Sequence, residues 1–217
     1  MRYSEAREQL IESLRKEVRD QRVLQAMASV PRELFVPPDM ARHAYEDSPL
    51  PIGDGQTISQ PLIVGLMLQA LGVRPTDTVL DVGTGSGYQA ALLSHLAARV
   101  VSVERVQALK ERAMRTLHAL RYTNVQVHLA RDVLGWPDAA PYNGIIVGAA
   151  GPSVPESLVE QLADGGRLVM PVGTPFEQNL ARLTKRGAHT EVVWLGPCRF
   201  VHLIGDEGWE NDDSSRG

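Results

Sequence analysis

Three alternate glycines, Gly83, Gly85 and Gly87, follow an acidic residue near the end of an apolar run. Glycine permits backbone angles that other residues disfavour, and it lets a ligand approach the main chain closely. The residues after Gly87 are typical of a helix start, where free N–H groups would point at the same spot. The pattern predicts a ligand-binding turn between a strand and a helix, made of Asp81, Gly83, Thr84, Gly85, Ser86 and Gly87.

A missing glycine indicates the kind of ligand. The dinucleotide fingerprint needs a third glycine three residues after the second, and Tyr88 occupies that position here. The spacing is instead the form expected for a nucleoside without a pyrophosphate, such as S-adenosylmethionine. A second acid, Glu104, ends the next apolar run at about the 20-residue offset where a carboxylate meets ribose hydroxyls. An ordinary strand-to-helix turn is the weaker explanation, because it leaves the second acid unexplained.

A third acid, Asp132, comes just after the third predicted strand. Its carboxylate could accept a hydrogen bond from an adenine amino group at that end of the sheet. A solvated loop aspartate is the alternative, and the residues alone leave both open.

The elements around these acids predict an α/β fold. From residue 74 onward, strand and helix patterns alternate, which is typical of a parallel sheet covered on both faces. Helices are expected at 62–71, 88–95, 107–120 and 155–162, the last one ended by the glycine pair at 165–166. Strands are expected at 79–82, 100–103, 125–129, 143–147 and 167–170, followed by an antiparallel hairpin of 179–185 and 191–195. The prediction is a Rossmann-like, mostly parallel doubly wound sheet with an antiparallel hairpin at its C-terminal end.

The first sixty residues do not follow this alternation. Helices are expected at 4–19 and, after a capping aspartate at position 20, up to residue 30, while three prolines between 31 and 38 exclude a long regular element. We therefore predict one domain in three parts: an N-terminal helical cap and substrate loop at 1–60, a core at 61–206 and a mobile tail at 207–217.

The loop at 50–61 combines glycines and prolines with small amide and hydroxyl side chains. Such a composition favours a bent chain that presents polar groups. The alternative is a structural turn in which Ser59 caps the helix that Pro61 begins, and both explanations stay open because capping and ligand binding use the same groups.

Composition limits the class of protein. The chain has 217 residues, 43% of them hydrophobic and 22% charged, with a net charge of -4, which is usual for a globular domain and offers no attraction to nucleic-acid phosphates. No apolar run is long enough to span a membrane, and the charged opening residues do not resemble a signal peptide. The single cysteine, Cys198, excludes an internal disulfide and is too few for structural zinc. We expect a cytoplasmic monomer that binds no metal, membrane or nucleic acid.

Four segments together resemble one enzyme family. They are VPRELFV at 30–36, LPIGDGQTISQP at 50–61, LDVGTGSGY at 80–88 and VSVER at 101–105. They closely resemble the protein-L-isoaspartate O-methyltransferases, over about residues 23 to 204, and the loop at 50–61 is specific to that family. The resemblance implies the S-adenosylmethionine-dependent methyltransferase fold. It also implies methyl transfer to the free α-carboxylate of L-isoaspartyl residues in damaged proteins, with S-adenosyl-L-homocysteine as the product.

The resemblance also implies roles for individual residues. Ser59 would be the catalytic residue, meeting the substrate carboxylate, and its neighbours would line the methionine end of the cofactor. The cofactor site would comprise Gln56, Thr57, Ile58, Asp81, Gly83, Thr84, Gly85, Ser86, Gly87, Glu104, Arg105, Asp132 and Val133. The substrate site would comprise Ile58, Ser59, Val201, His202 and Leu203.

The second half of the chain departs from the family pattern. The family commonly has glycine at the positions of Arg131 and Val133, aspartate at that of Asn143 and proline at that of His202. The changes at Arg131, Val133 and His202 keep open a carboxyl methyltransferase that modifies an aspartate of one dedicated peptide. A retired module that only binds S-adenosylmethionine is a second alternative, because such a protein would keep the fold. The chemistry agrees with a carboxylate substrate, because a carboxylate is ionised at pH 7 and the proposed loop offers no His, Lys or Cys as a base.

Overall fold

The computed structural model describes residues 3–210, and its N-terminal part is a helical cap with a small hairpin. The cap contains α1 (Tyr3–Leu14), α2 (Gln21–Ser29) and short 3-10 turns at Arg32–Phe35 and Ala41–His43. The antiparallel hairpin consists of β1 (Leu50–Gly53) and β2 (Gln56–Ile58), within the segment predicted to be an irregular loop.

The first helix is shorter than the sequence predicts. It ends at Leu14, after which the chain turns toward the core, where Val18 is fully buried. The Gln69 side chain accepts hydrogen bonds from the N–H groups of Arg19 and Asp20, at 2.5 and 2.9 Å. These tertiary contacts replace the last helical turn that the apolar spacing indicates. The carboxylate of Asp20 caps α2 as predicted, by accepting from the N–H of Arg22 at 2.9 Å.

A seven-stranded sheet forms the rest of the molecule. Its strands are β3 (Thr78–Val82), β4 (Arg99–Glu104), β5 (Val125–Leu129), β6 (Tyr142–Val147), β7 (Leu162–Gly173), β8 (Gln178–Arg186) and β9 (His189–Cys198). They lie in the order β5-β4-β3-β6-β7-β8-β9, with β3 to β7 parallel and β8 and β9 antiparallel. The predicted parallel sheet with a terminal antiparallel hairpin is confirmed.

Helices cover the sheet on both faces. They are α3 (Pro61–Leu71), α4 (Tyr88–Ser94), α5 (Gln107–Ala119) and α6 (Glu156–Glu160). The central strands are apolar on both sides, so alternate residues enter two cores: Val79 and Ile146 pack with α3, α4 and α5, whereas Leu80 and Ile145 pack on the opposite face near α6. The helix α3 ends at Leu71, as predicted, and Gly72 follows it as a C-cap in the left-handed conformation.

The connection into β7 differs from the prediction. The helix α6 ends at Glu160, and β7 begins at Leu162, so the glycine pair at 165–166 lies inside the strand. The Lys185 ammonium group donates to the carbonyl oxygens of Val159, Glu160 and Leu162 at 2.9, 3.3 and 2.9 Å. A cation from the neighbouring strand therefore satisfies the end of this helix, a role that local sequence does not reveal.

Residues 207–210, predicted to belong to a mobile tail, are described in contact with the core. The Glu207 carboxylate accepts from the N–H of Ser157 at 3.2 Å and from its hydroxyl, and the N–H of Trp209 donates to the Leu203 carbonyl at 2.7 Å. The rest of that tail, 211–217, lies outside the described residues. Within residues 3–210, no helix has both the length and the apolar character needed to cross a membrane.

Candidate active site

A cavity of about 570 Å³ opens at the carboxyl ends of the parallel strands. From β3 the chain adds β4 and β5 on one side of the sheet, and it then returns to add β6 on the other side of β3. Open α/β sheets bind ligands at such a point, where the strand order reverses. The walls come from the β2 strand, the ends of β3 and β4, the loops after β5 and β6, Ser157 on α6, and residues 201–208.

The glycine turn forms the floor of this cavity. The N–H groups of Gly83 and Thr84 donate to the Val103 carbonyl at 2.9 and 3.1 Å, which ties the turn to the end of β4. Asp81 is fully buried beneath it and accepts from the Gln89 amide and the Ser102 hydroxyl, at 2.8 and 2.7 Å.

This buried network affects the charge of Asp81. Burial raises the pKa of Asp81 to about 6, while the two hydrogen bonds oppose that rise. The hydroxyl of Ser102 also lies 2.5 Å from that of Thr84, so Asp81 supports the turn from below through Ser102. Asp81 and Thr84 therefore hold the turn in place but do not line the cavity.

Glu104 lies in the cavity wall and also holds the turn. One carboxylate oxygen accepts from the Gly85 N–H at 2.8 Å and the other from the Val106 N–H at 2.9 Å, with only 5% of the residue exposed. Each oxygen has a second lone pair, so the same carboxylate retains the capacity to accept ribose hydroxyls.

The loop after β5 forms a second wall, which contains Arg131, Asp132 and Val133. The Arg131 guanidinium lies 3.9 Å from the centre of the Trp136 ring and pairs with Asp138 at 2.9 Å. The other aromatic contact of Trp136 is a stack on His128 at 4.1 Å, where burial and the Arg131 cation lower the pKa of the imidazole. The arginine that replaces the family's glycine thus ties the loop to an aromatic stack.

The hairpin brings its polar side chains to the cavity from the cap side. Gln56 and Thr57 line it, whereas Ile58 is 4% exposed and packs in the core. This burial fixes the backbone just before Ser59, which is half-buried.

Ser59 does not cap the helix that follows it. The N-cap position of α3 is Gln60, whose side chain makes no capping bond, and the Leu62 N–H donates to the Asp47 carboxylate at 2.8 Å. Asp47 also accepts from the Gln60 amide at 3.0 Å. Among residues 3–210, the Ser59 hydroxyl has no hydrogen-bond partner. Asp47 therefore performs the capping that could have explained Ser59, and the serine hydroxyl is left available for a ligand.

The C-terminal segment closes the cavity on the remaining side. Val201, His202 and Leu203 line it, and the backbone of this segment pairs with Ala150, which lies after β6. The Ala150 N–H donates to the Val201 carbonyl at 2.8 Å, and the Leu203 N–H donates to the Ala150 carbonyl at 2.7 Å. Glu207, which is anchored on Ser157, lines the same space.

Most of the predicted site residues meet at this cavity. Its lining contains Gln56, Thr57, Gly83, Gly85, Glu104, Arg105, Asp132, Val133, Val201, His202 and Leu203. The predicted residues outside the lining are Ile58, Ser59, Asp81, Thr84, Ser86 and Gly87. Ser86 accepts from the Tyr88 N–H at 3.2 Å and Gly87 faces α5, so both shape the start of α4. The ligand roles of all these residues stay predictions.

The lining residues that the sequence did not predict include two whole segments, the loop after β6 and residues 204–208. Gly148 and Ala149 follow β6, and the rule that placed Glu104 and Asp132 at strand ends would have placed them too. Residues 204–208 carry no comparable signal, because they follow the segment that pairs with Ala150 and are anchored by the contact of Glu207 with the distant Ser157.

A sequence profile of the protein-L-isoaspartate(D-aspartate) O-methyltransferases matches residues 5–208. The chain belongs to this family. A protein-L-isoaspartate O-methyltransferase from Methanoculleus marisnigri is 51% identical over 195 residues, which cover 90% of this chain and 89% of that protein. One from Geobacter metallireducens is 46% identical over 217 residues, covering 98% and 100%.

Solved structures agree with the family assignment. A protein-L-isoaspartate O-methyltransferase superposes with a TM-score of 0.84 at 30% identity, covering 93% of this chain and 67% of its own. A Plasmodium falciparum protein of the same designation, solved in complex with S-adenosyl-L-homocysteine, superposes with a TM-score of 0.81 at 25% identity, covering 92% and 99%. The predicted fold and family are confirmed.

Proposed function

We propose that this protein transfers a methyl group from S-adenosylmethionine to the free α-carboxylate of L-isoaspartyl residues in damaged peptides and proteins. One observation supports this most directly: Asp47 caps α3, so the Ser59 hydroxyl is unused and lies next to a hairpin that lines the cavity. Family membership supplies the substrate class.

The cavity residues fit the cofactor. A glycine turn offers close approach to the main chain, the Glu104 carboxylate can accept from ribose hydroxyls, and Asp132 can accept from an adenine amino group. When bound, S-adenosylmethionine supplies an electrophilic methyl group on its sulfonium. The family's glycines at the Asp132 loop are replaced here, and the stack of Arg131 on Trp136 holds that loop in their absence.

The residues of this chain then have an alignment task rather than a proton-transfer task. The attacking group is a carboxylate, which is already ionised at pH 7 and needs no base. The Ser59 hydroxyl donates to one carboxylate oxygen and leaves the other oxygen directed at the methyl group. His202 lines the cavity, but this reaction requires no imidazole base from it. The hairpin and residues 201–208 wall the cavity on two sides, which limits the access of water to the reacting groups.

Replacing Ser59 tests this alignment. Ser59→Ala is expected to lower kcat/KM on an isoaspartyl peptide by about 10- to 1,000-fold, because orientation is lost, while S-adenosylmethionine affinity is retained. Steady-state kinetics and calorimetry measure the two quantities. Ser94→Ala is the matched control, since the Ser94 hydroxyl donates to the Ala91 carbonyl on α4 and lies outside the cavity. An unchanged kcat/KM in Ser59→Ala would remove Ser59 from the reaction.

The alternatives give different outcomes. Arg131, Val133 and His202 all line the cavity, so the departures from the family pattern lie where they could restrict the enzyme to one dedicated peptide. A methyltransferase of that kind would ignore general isoaspartyl peptides, and a retired module would bind the cofactor without turnover. The three-part domain division, the cytoplasmic location and the monomeric state stay predictions.

A further inference from the structure

Arg32 carries a buried positive charge that the Asp47 carboxylate favours only from a distance. It lies in the 3-10 turn that follows Pro31, and it is 1% exposed. Within the described residues it forms no ion pair. Burial of this charge is costly unless hydrogen bonds compensate it, so the partners of Arg32 show what its position requires.

Those partners come from three separate segments. The Nε atom donates to the Ala44 carbonyl at 2.8 Å, at the end of the cap, and Nη2 donates to the Ser59 carbonyl at 2.9 Å. The guanidinium lies 4.9 Å from the centre of the Tyr88 ring, the first residue of α4 after the glycine turn. Nη1 is buried without a partner in residues 3–210, so these two carbonyl bonds are the main compensation.

The contact with Ser59 bears on the serine side chain. A hydrogen bond to the carbonyl oxygen fixes the peptide plane after Ser59, and the burial of Ile58 fixes the backbone before it. With both sides fixed, the direction of the Cα–Cβ bond is set, and the hydroxyl has only its χ1 rotation left. Arginine suits this task because it stays charged when buried and donates in a rigid plane.

We propose that Arg32 is the positioning residue of Ser59, and that it links the serine to the start of α4 at the cofactor turn. This inference depends on the proposed function, in which Ser59 holds the substrate carboxylate. The competing explanation is that Arg32 only holds the cap together. Arg7 is an arginine of that kind: it donates to the Tyr45 hydroxyl at 2.8 Å and pairs with Glu33 at 3.3 Å, without touching Ser59.

A double-mutant cycle separates the two explanations. Arg32→Lys keeps the charge but loses the planar guanidinium whose Nε and Nη2 atoms each meet one of the two carbonyls. The value of kcat/KM, normalised to the fraction of protein that binds cofactor, is therefore expected to fall about 10- to 100-fold. In the Ser59→Ala background the same change is expected to cost less than about twofold, because the group it positions is gone. Arg7→Lys is expected to stay within about twofold of wild type. Equal losses with and without Ser59 would overturn the proposal.

A second variant and a second measurement keep the test valid if the lysine variant does not fold or if the proposed function is wrong. Arg32→Met removes the buried charge at similar volume, so it provides the same cycle if the lysine variant is unstable. Amide hydrogen exchange over residues 56–60 needs no turnover: faster exchange in Arg32→Met than in Arg7→Lys supports the proposal, and equal exchange contradicts it. A wild-type protein that methylates no isoaspartyl peptide contradicts the proposed function instead.

Discussion

The buried carboxyl of Asp81, which supports the glycine turn, makes the stability of the folded protein depend on pH. This carboxyl is fully buried, and burial raises its pKa from 3.8 to about 6. The folded protein therefore binds this proton more tightly than the unfolded chain does. The full stabilisation by this proton is present below the pKa that Asp81 has in the unfolded chain. It is lost as the pH rises through about 6, the pKa of Asp81 in the folded protein.

Asp81→Asn removes this titration while keeping the shape of the side chain. Between about pH 4.5 and about pH 7, the wild type is expected to lose about 2 kcal/mol of unfolding free energy relative to the variant. Urea denaturation of both proteins at each pH measures the difference. The other carboxylates are common to both proteins, so their contribution to the pH dependence cancels when the variant is compared with the wild type. A difference that does not change with pH would contradict the raised pKa.

Site residues were predictable where strand ends dictate their position. The strand-end rule placed Glu104 and Asp132 at the cavity, since parallel strands deliver their last residues to one edge. The rule gave no indication that Glu104 also accepts from the Gly85 N–H, or that Asp47 caps α3 in place of Ser59. Both contacts join segments that are distant in sequence.

At the scale of elements, Gly87 serves packing between helices. It has a φ of +90° at the start of α4, and a Cβ there would lie 3.3 Å from Ala113 and 3.4 Å from Leu117, both buried on α5. The last glycine of the turn is therefore required by the approach of α5, which agrees with its place outside the cavity lining.

Gly87→Ala is expected to reduce the free energy of unfolding by about 2–4 kcal/mol, which combines left-handed strain with overpacking. Gly187→Ala is the matched control, because Gly187 has a φ of +58° with no atom within 4 Å of the added Cβ. The control is expected to lose about 1 kcal/mol through strain alone. Thermal or urea denaturation compares the two, and equal losses would show that α5 does not constrain the turn.

Elements were predictable where a periodic pattern spans their full length. The apolar patterns located α5 and the parallel strands, although β7 begins at Leu162, before its predicted start. They extended α1 beyond Leu14, because Val18 continues the apolar spacing while packing against α3. The sequence does contain a signal for the β1–β2 hairpin. Asp54 and Gly55 have φ values of +53° and +68°, and an Asp-Gly pair is a favoured turn between short antiparallel strands.

At the scale of the whole molecule, the strand order assembles the site. The alternation of strands and helices predicted the fold class, but the order β5-β4-β3-β6-β7-β8-β9 depends on which strands pair. That order places the glycine turn, Glu104 and the loop after β6 around one cavity. The cap then adds the hairpin from the N-terminal side, and residues 201–208 complete the wall from the C-terminal side.

This assembly is expected to methylate the isoaspartyl linkage in general, rather than in one dedicated peptide or in none. The most direct test incubates the protein and methyl-labelled S-adenosylmethionine with pairs of peptides that differ only in an Asp or an isoAsp linkage, in several unrelated sequences. We predict strong labelling of each isoAsp peptide and background labelling of each Asp peptide, with Ser59→Ala as the control for site-dependent transfer. Labelling of neither member in every pair, or equal labelling of both, would contradict the account.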